Sequence, residues 1–162
     1  RQAIPADGVL ATDMTSPAYI ARTEYPAYNP NTFLHPVGYG TLGYALPAAM
    51  GAKFANQDRP VAVLTGDGGF QFTIQELAVL MKYEISLPII VWNNEGYGEI
   101  RKNELQRHPG ETIAVNHQNP DFNKLALSYN LAYSQITDPA DMESTLKDAF
   151  NRSKPEIIEI TV

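Results

Sequence analysis

The sequence predicts an α/β protein built on a mainly parallel sheet of five or six strands, with helices on both faces. Three observations lead there. Short apolar runs of strand type, such as VAVLT (61–65) and PIIVW (88–92), alternate along the chain with helix-type patterns. Those two runs flank a single helical stretch, the layout of a parallel βαβ unit. Glycine, proline and aspartate fall at the junctions, as in Gly66-Asp67-Gly68, Asp138-Pro139 and Lys154-Pro155. At 162 residues and 44% hydrophobic composition the chain can bury one substantial core.

Taken in order, Gly8 to Thr12 (GVLAT) is the first buried strand. Asp13-Met14-Thr15-Ser16-Pro17 then turns into a helix, with Ser16 as N-cap and Pro17 at the first helical position. The Thr15 and Ser16 hydroxyls can cap that helix or donate to an anion at the carboxyl edge of the sheet. Tyr25 to Leu34 carries two prolines and two asparagines and reads as an irregular connection. His35 to Gly43 (HPVGYGTLG) precedes an alanine-rich helix from about Tyr44 to Ala55. Its glycines suit close backbone approach to a ligand, and Gly38, Gly40 and Gly43 match GxGxxG, without a clear strand in front of them.

The strand Val61 to Thr65 ends on Gly66-Asp67-Gly68-Gly69, and a helix is expected from Thr73 to Tyr83. There Ile74, Leu77, Ala78 and Met81 repeat at helical spacing. The strand Pro88 to Trp92 runs into Asn93-Asn94. Parallel strands deliver Asp67 and Asn94 to the same edge, where a carboxylate and an amide oxygen are hard ligands for Mg²⁺ or Ca²⁺. Open amides at Gly68 and Gly69 suit a phosphate. Gly98 to Glu104 begins a short helix, Leu105 to Asn119 is a polar loop with His108 and His117 solvated, and a helix follows Asp121 to about Tyr129. Leu131 to Ile136 is a strand, Asp138-Pro139-Ala140 caps a helix to about Phe150, and Glu156 to Val162 is the last strand.

The Gly66-Asp67-Gly68 turn and Asn93-Asn94, at this spacing, resemble the cofactor signature of thiamine diphosphate-dependent enzymes. The likeness covers nearly the whole chain and is nearest to the pyrophosphate-binding domain of acetohydroxyacid synthases and benzoylformate-type 2-oxo acid decarboxylases. It implies thiamine diphosphate and Mg²⁺ as cofactors, with Asp67, Asn94 and the Gly96 carbonyl as metal ligands. It implies a cofactor site made of Thr15, Ser16, Gly40, Thr41, Leu42, Gly66, Gly68, Gly69 and Tyr97. Gly40 would offer its carbonyl to the pyrimidine amino group. Leu42 would be the wedge that bends the cofactor, or else pack the start of a helix. It further implies a small 2-oxo acid substrate. A glutamate-bearing pyrimidine-binding domain from the same or a neighbouring subunit would complete the site, in a homo-oligomer. The acetohydroxyacid synthase likeness departs at Asn103, where those enzymes carry a tryptophan; the sole tryptophan, Trp92, lies in a strand.

Glu99 stands a few residues after the metal loop, where relatives often place an apolar residue facing substrate. Either it points to solvent or pairs with Lys102, or it meets the cationic tail of a substrate. The Gly-Tyr-Gly-Glu-Ile run (96–100) is similar to that of relatives acting on a guanidino 2-oxo acid. His35 is a cleft residue or a structural one. The competing function is a non-catalytic nucleotide- or phosphate-binding module.

A net charge of −6 without a basic run gives no support to nucleic-acid binding. No apolar run reaches the roughly 18 residues of a membrane span, so no membrane partner is expected. Cysteine is absent, which makes the chain indifferent to redox compartment and a cytoplasmic enzyme the simplest expectation. With neither an initiator Met nor a signal-peptide pattern, the chain reads as a piece of a longer polypeptide.

Overall fold

A computed structural model describes residues 1–162. Six strands form one all-parallel sheet: β1 (Val9–Thr12), β2 (Phe33–Leu34), β3 (Val61–Gly66), β4 (Pro88–Asn93), β5 (Ala132–Ile136) and β6 (Glu156–Thr161), in the spatial order β2-β1-β3-β4-β6-β5. The helices are α1 (Ser16–Glu24), α2 (Ala45–Ala55), α3 (Asp67–Gln71), α4 (Leu77–Lys82), α5 (Gly98–Arg107), α6 (Phe122–Ser128) and α7 (Met142–Phe150).

Strand residues alternate between two cores, as a pleat with both faces covered requires. Val61, Val63, Ile89, Val91 and Ile157 face a core closed by α2, α3, α4 and α6, through residues such as Leu46, Phe70, Leu80 and Phe122. Ile90, Trp92, Ile158 and Ile160 face the opposite side, where Leu146 and Ala149 of α7 cover them. Leu10 and Ala62 continue that side with Ile4 and Phe33.

Four boundaries differ from the sequence expectation. Phe33–Leu34 pairs in parallel with Leu10–Ala11, so the end of the supposedly irregular connection is an edge strand, too short to show a period. A helix starts at Asp67 rather than Thr73. It breaks at Phe72–Thr73, passes through a 3-10 turn (Ile74–Glu76) and resumes as α4. The N-cap of α1 is Thr15 rather than Ser16, which puts Pro17 second, and no side chain caps it. α5 runs to Arg107, past Glu104, because nothing in Leu105-Gln106-Arg107 interrupts a helix before His108-Pro109.

The parallel register places Thr12, Gly66, Asn93 and Thr161 together at one edge, with Gly66 opposite Trp92 and Asn93 opposite Thr161. The segments that leave this edge build the site.

Candidate functional site

A cleft of about 170 Å³ opens at the carboxyl edge. One wall is Thr15 and Ser16 from the β1–α1 turn, with Gly40 and Leu42 from the loop before α2. The other is Gly66, Asp67, Gly68 and Gly69 from the β3–α3 junction, facing Asn94, Gly96, Tyr97 and Glu99 from the β4–α5 segment. Thr41 is the one expected site residue outside it; it is exposed, and its hydroxyl donates to the Leu42 carbonyl at 3.0 Å. Neither the Thr15 nor the Ser16 hydroxyl caps α1, which leaves both available toward the cleft.

Asp67 is 1% exposed at the start of α3. Its Oδ2 accepts from the Gly96 N–H at 3.0 Å and from Asn119 Nδ2 at 2.7 Å. His117 Nε2 stands 3.3 Å away from the same oxygen, buried and making no hydrogen bond. These three nitrogens crowd Oδ2 and leave Oδ1 without a donor. The Asn94 side chain lies directly over Gly98: a Cβ there would fall 2.2 Å from Asn94 Nδ2. Arg101 donates to the Asn94 carbonyl at 3.0 Å and to Asn116 Oδ1 at 2.9 Å.

Gly96 sits at φ +153°, and a Cβ would lie 2.2 Å from the Val115 carbonyl oxygen. Only glycine therefore lets residues 115–117 close on this segment. The closure is held by the Gly96–Asn116 bridge and by Tyr97 N–H donating to Val115 at 2.8 Å. It brings the His117 ring edge-on to Tyr97 at 5.2 Å. His117, expected in solvent, thus packs behind the cleft against Asp67 and Tyr97, while exposed His108 ends α5.

Asp13 holds the two halves of the cleft together. It is 1% exposed. Oδ1 accepts from the N–H groups of Tyr44 and Ala45 at 2.7 Å each, and Oδ2 from Gly43 N–H at 3.1 Å and Thr65 Oγ1 at 2.7 Å. This answers the GxGxxG pattern as well: the amides that open α2 already hold an internal carboxylate and cannot cradle a phosphate.

Next to Asp67, Asn119 and residues of three strands form a second polar layer. Asn119 Nδ2 donates to Asn93 Oδ1 at 2.8 Å, and Asn93 Nδ2 to Glu159 Oε1 at 2.6 Å. The Tyr133 hydroxyl donates to Glu159 Oε2 at 2.6 Å. Burial first, then Glu159, pushes the Tyr133 pKa well above its ordinary value, so it stays a donor. His35 Nδ1 is 2.7 Å from Thr12 Oγ1, and its ring stacks on Phe33 at 5.9 Å. Burial and then Arg22 lower its pKa, with Asp13 opposing. His35 lines an adjoining hollow rather than the cleft.

Glu99 is half-buried and lines the cleft, and no cation pairs with it: the ion pairs of the chain are elsewhere. Arg101 is engaged with Asn94 and Asn116, and exposed Lys102 does not reach it. Asn103 is exposed and donates to the Glu99 carbonyl at 2.7 Å.

The sequence singled out the loops, and Asn93 as half of the Asn93-Asn94 pair, but not Asp13, His117, Asn119 or Glu159 as parts of this constellation. The one available signal was Glu156 and Glu159 inside an otherwise apolar strand pattern, EIIEITV.

Comparison with known proteins adds four findings. Residues 13–160 match the family model described as "Thiamine pyrophosphate enzyme, C-terminal TPP binding domain". A probable 2-ketoarginine decarboxylase of Pseudomonas aeruginosa is 42% identical over 160 residues, covering 98% of this chain and 28% of that protein. An acetolactate synthase large subunit of Lactococcus lactis is 32% identical over 157 residues, 96% of this chain and 27% of that one. Among solved structures, a thiamine diphosphate-dependent 4-hydroxybenzoylformate decarboxylase of Rhodococcus jostii superposes with a TM-score of 0.89 at 30% identity, over 100% of this chain and 31% of that one. The chain spans less than a third of the length of these relatives.

Proposed function

This chain belongs to the family of thiamine pyrophosphate enzyme C-terminal TPP binding domains, and from that premise we propose that it binds Mg²⁺ and thiamine diphosphate within a 2-oxo acid decarboxylase or carboligase of the cytoplasm. The observation that carries the reading is Asp67, a buried carboxylate with one oxygen saturated by protein donors and the other free toward a cleft. A cation fits such a site, because an unpaired buried carboxylate is otherwise costly.

Asp67, the Asn94 side chain and the Gly96 carbonyl are all oxygen donors, and hard oxygen ligands suit Mg²⁺. The glycines let the cleft walls close up: a Cβ at Gly66 would come within 3.0 Å of Thr15 Oγ1, and one at Gly68 within 2.8 Å of Tyr97, so a side chain at either position would push a wall aside. The Gly68 and Gly69 amides, in the first turn of α3, and the Thr15 and Ser16 hydroxyls would take the phosphate oxygens. Gly40 would orient the pyrimidine by its carbonyl and Leu42 would separate the two rings. When bound, the cofactor supplies the nucleophilic carbon and the electron sink for loss of CO₂. A glutamate on a pyrimidine-binding domain, of the same or a neighbouring subunit of a homo-oligomer, completes the site in this reading.

Glu99 narrows the substrate. A carboxylate lining the cleft without a protein cation suits a positively charged tail, and the Pseudomonas relative is named for 2-ketoarginine, a guanidino 2-oxo acid. Two experiments test the proposal in the full-length protein. Calorimetry should show thiamine diphosphate binding that requires Mg²⁺ and is lost in Asp67→Ala with the fold intact; equal affinity in EDTA defeats it. The ratio of kcat/KM for a guanidino 2-oxo acid over pyruvate should fall at least tenfold in Glu99→Gln, the scale of one charge-assisted contact. An unchanged ratio returns Glu99 to the surface.

A further inference from the structure

Glu159 lies on β6 between β4 and β5, 8% exposed, and no lysine or arginine pairs with it. Such a group is costly in a sheet unless its acceptors are used. They are: Oε1 takes Asn93 Nδ2 and Oε2 the Tyr133 hydroxyl, each at 2.6 Å.

A carboxylate can only accept, so it turns the NH₂ of Asn93 toward itself and the amide oxygen away. That oxygen accepts from Asn119 Nδ2 at 2.8 Å and from the Glu95 N–H at 3.2 Å. Asn119 directs its second N–H to Asp67 Oδ2 at 2.7 Å, and its own oxygen accepts from Gln71 Nε2 at 3.0 Å. Two acceptor-only carboxylates thus bracket two amides, and each amide has one orientation that satisfies both neighbours. Turning either amide over would set an oxygen against an oxygen.

We infer that Glu159 is a positioning residue for the metal site: through Asn93 and Asn119 it holds Asp67 with Oδ2 saturated and Oδ1 free for a divalent cation. Glu159 itself does not line the cleft. The inference rests on the Mg²⁺–thiamine diphosphate reading and assigns a role to side chains which that reading does not use. The competing role for Glu159 is a strap between strands, joining Tyr133 of β5 to Asn93 of β4.

The test compares Glu159→Gln, Asn119→Ala, their combination and Tyr133→Phe in the full-length protein. Calorimetry measures the Mg²⁺ concentration needed for half-maximal thiamine diphosphate binding, and scanning calorimetry gives the apoprotein Tm. The amide introduced by Glu159→Gln can donate as well as accept, so Asn93 loses its single orientation. The Mg²⁺ requirement should rise about ten- to hundredfold, as for other partners that orient a metal ligand, with full cofactor binding restored by excess Mg²⁺. Asn119→Ala should do the same, and the double variant should be no worse than the worse single one, because both act along one path. Tyr133→Phe loosens the strap but keeps the charge, so it should lower Tm and leave the Mg²⁺ requirement native.

A Glu159→Gln protein with lowered Tm and native Mg²⁺ requirement overturns the inference, as do additive effects in the double variant. If Glu159→Gln does not fold, a shift in Asn119→Ala with none in Tyr133→Phe supports it and any other pairing overturns it. A native protein that binds no thiamine diphosphate with Mg²⁺ overturns this inference and the proposed function together. Native binding with unaltered variants overturns this inference alone.

Discussion

Asp13 and His35 are two residues whose work is invisible at their own positions. Asp13 reads as part of a turn, yet its partners Gly43 and Thr65 lie 30 and 52 residues further along; no local pattern announces a contact at that range. His35, whose sequence reading left cleft and structure open, ties the loop before α2 to the end of β1 through Thr12. Its folded pKa is lowered from 6.5, by burial first. The unfolded chain therefore takes up this proton at a higher pH than the folded one. The contribution is present above the unfolded pKa and is lost as pH falls through the folded value. Between roughly pH 7 and 5, the native Tm should fall more steeply than that of His35→Gln, which carries no proton to gain. Parallel slopes in a pH series of thermal melts would exclude the residue from this role.

The element that sequence reasoning resolved least well is the helical stretch after β3. Of its apolar repeat, Ile74 falls in the 3-10 turn and Leu77, Ala78 and Met81 in α4, where Ala78 is exposed and Leu80 is buried with Leu77 instead. The earlier part, α3, contains Gly68 and Gly69, which propensity disfavours in a helix. Packing overrides propensity there: a Cβ at Gly69 would lie 2.6 Å from Asp13 Oδ2, so only glycine lets this helix approach the aspartate. The two effects predict opposite signs for Gly69→Ala. Propensity alone would stabilise by about 1 kcal/mol. Asp13 cannot yield, however, because its carboxylate is held by four donors, and overpacking costs about 1–3 kcal/mol. Urea denaturation should show a net loss, with weaker cofactor binding. A gain in stability would mean that the aspartate gives way.

At the scale of the whole molecule, the sheet and the edge where the cleft opens were legible because the apolar strand runs and the junction residues carry that information locally. The neighbours of Asp67 were not, since His117 and Asn119 arrive on a polar loop whose sequence looks solvated. No helix is long and apolar enough to cross a membrane. Apolar side chains crowd the mouth of the cleft instead: Tyr19 and Ile100 on its walls, and Val37 and Tyr39 beside it, are all exposed. A covering domain would bury them. The isolated 162-residue chain should accordingly release no CO₂ from a 2-oxo acid, whereas the full-length protein should do so as a dimer or larger assembly. Robust turnover by the isolated chain would place the catalytic apparatus elsewhere. The strand order has a consequence for biogenesis. β6 is the last strand of the chain, yet it lies between β4 and β5. During synthesis β5 can therefore be complete while having no neighbour to pair with, and β4 keeps one open flank. Both wait for Glu156–Thr161 to emerge. In that interval two unpaired edges of a parallel sheet are open to other nascent chains, so a pause after the β5 codons and before the β6 codons are read leaves this sheet exposed.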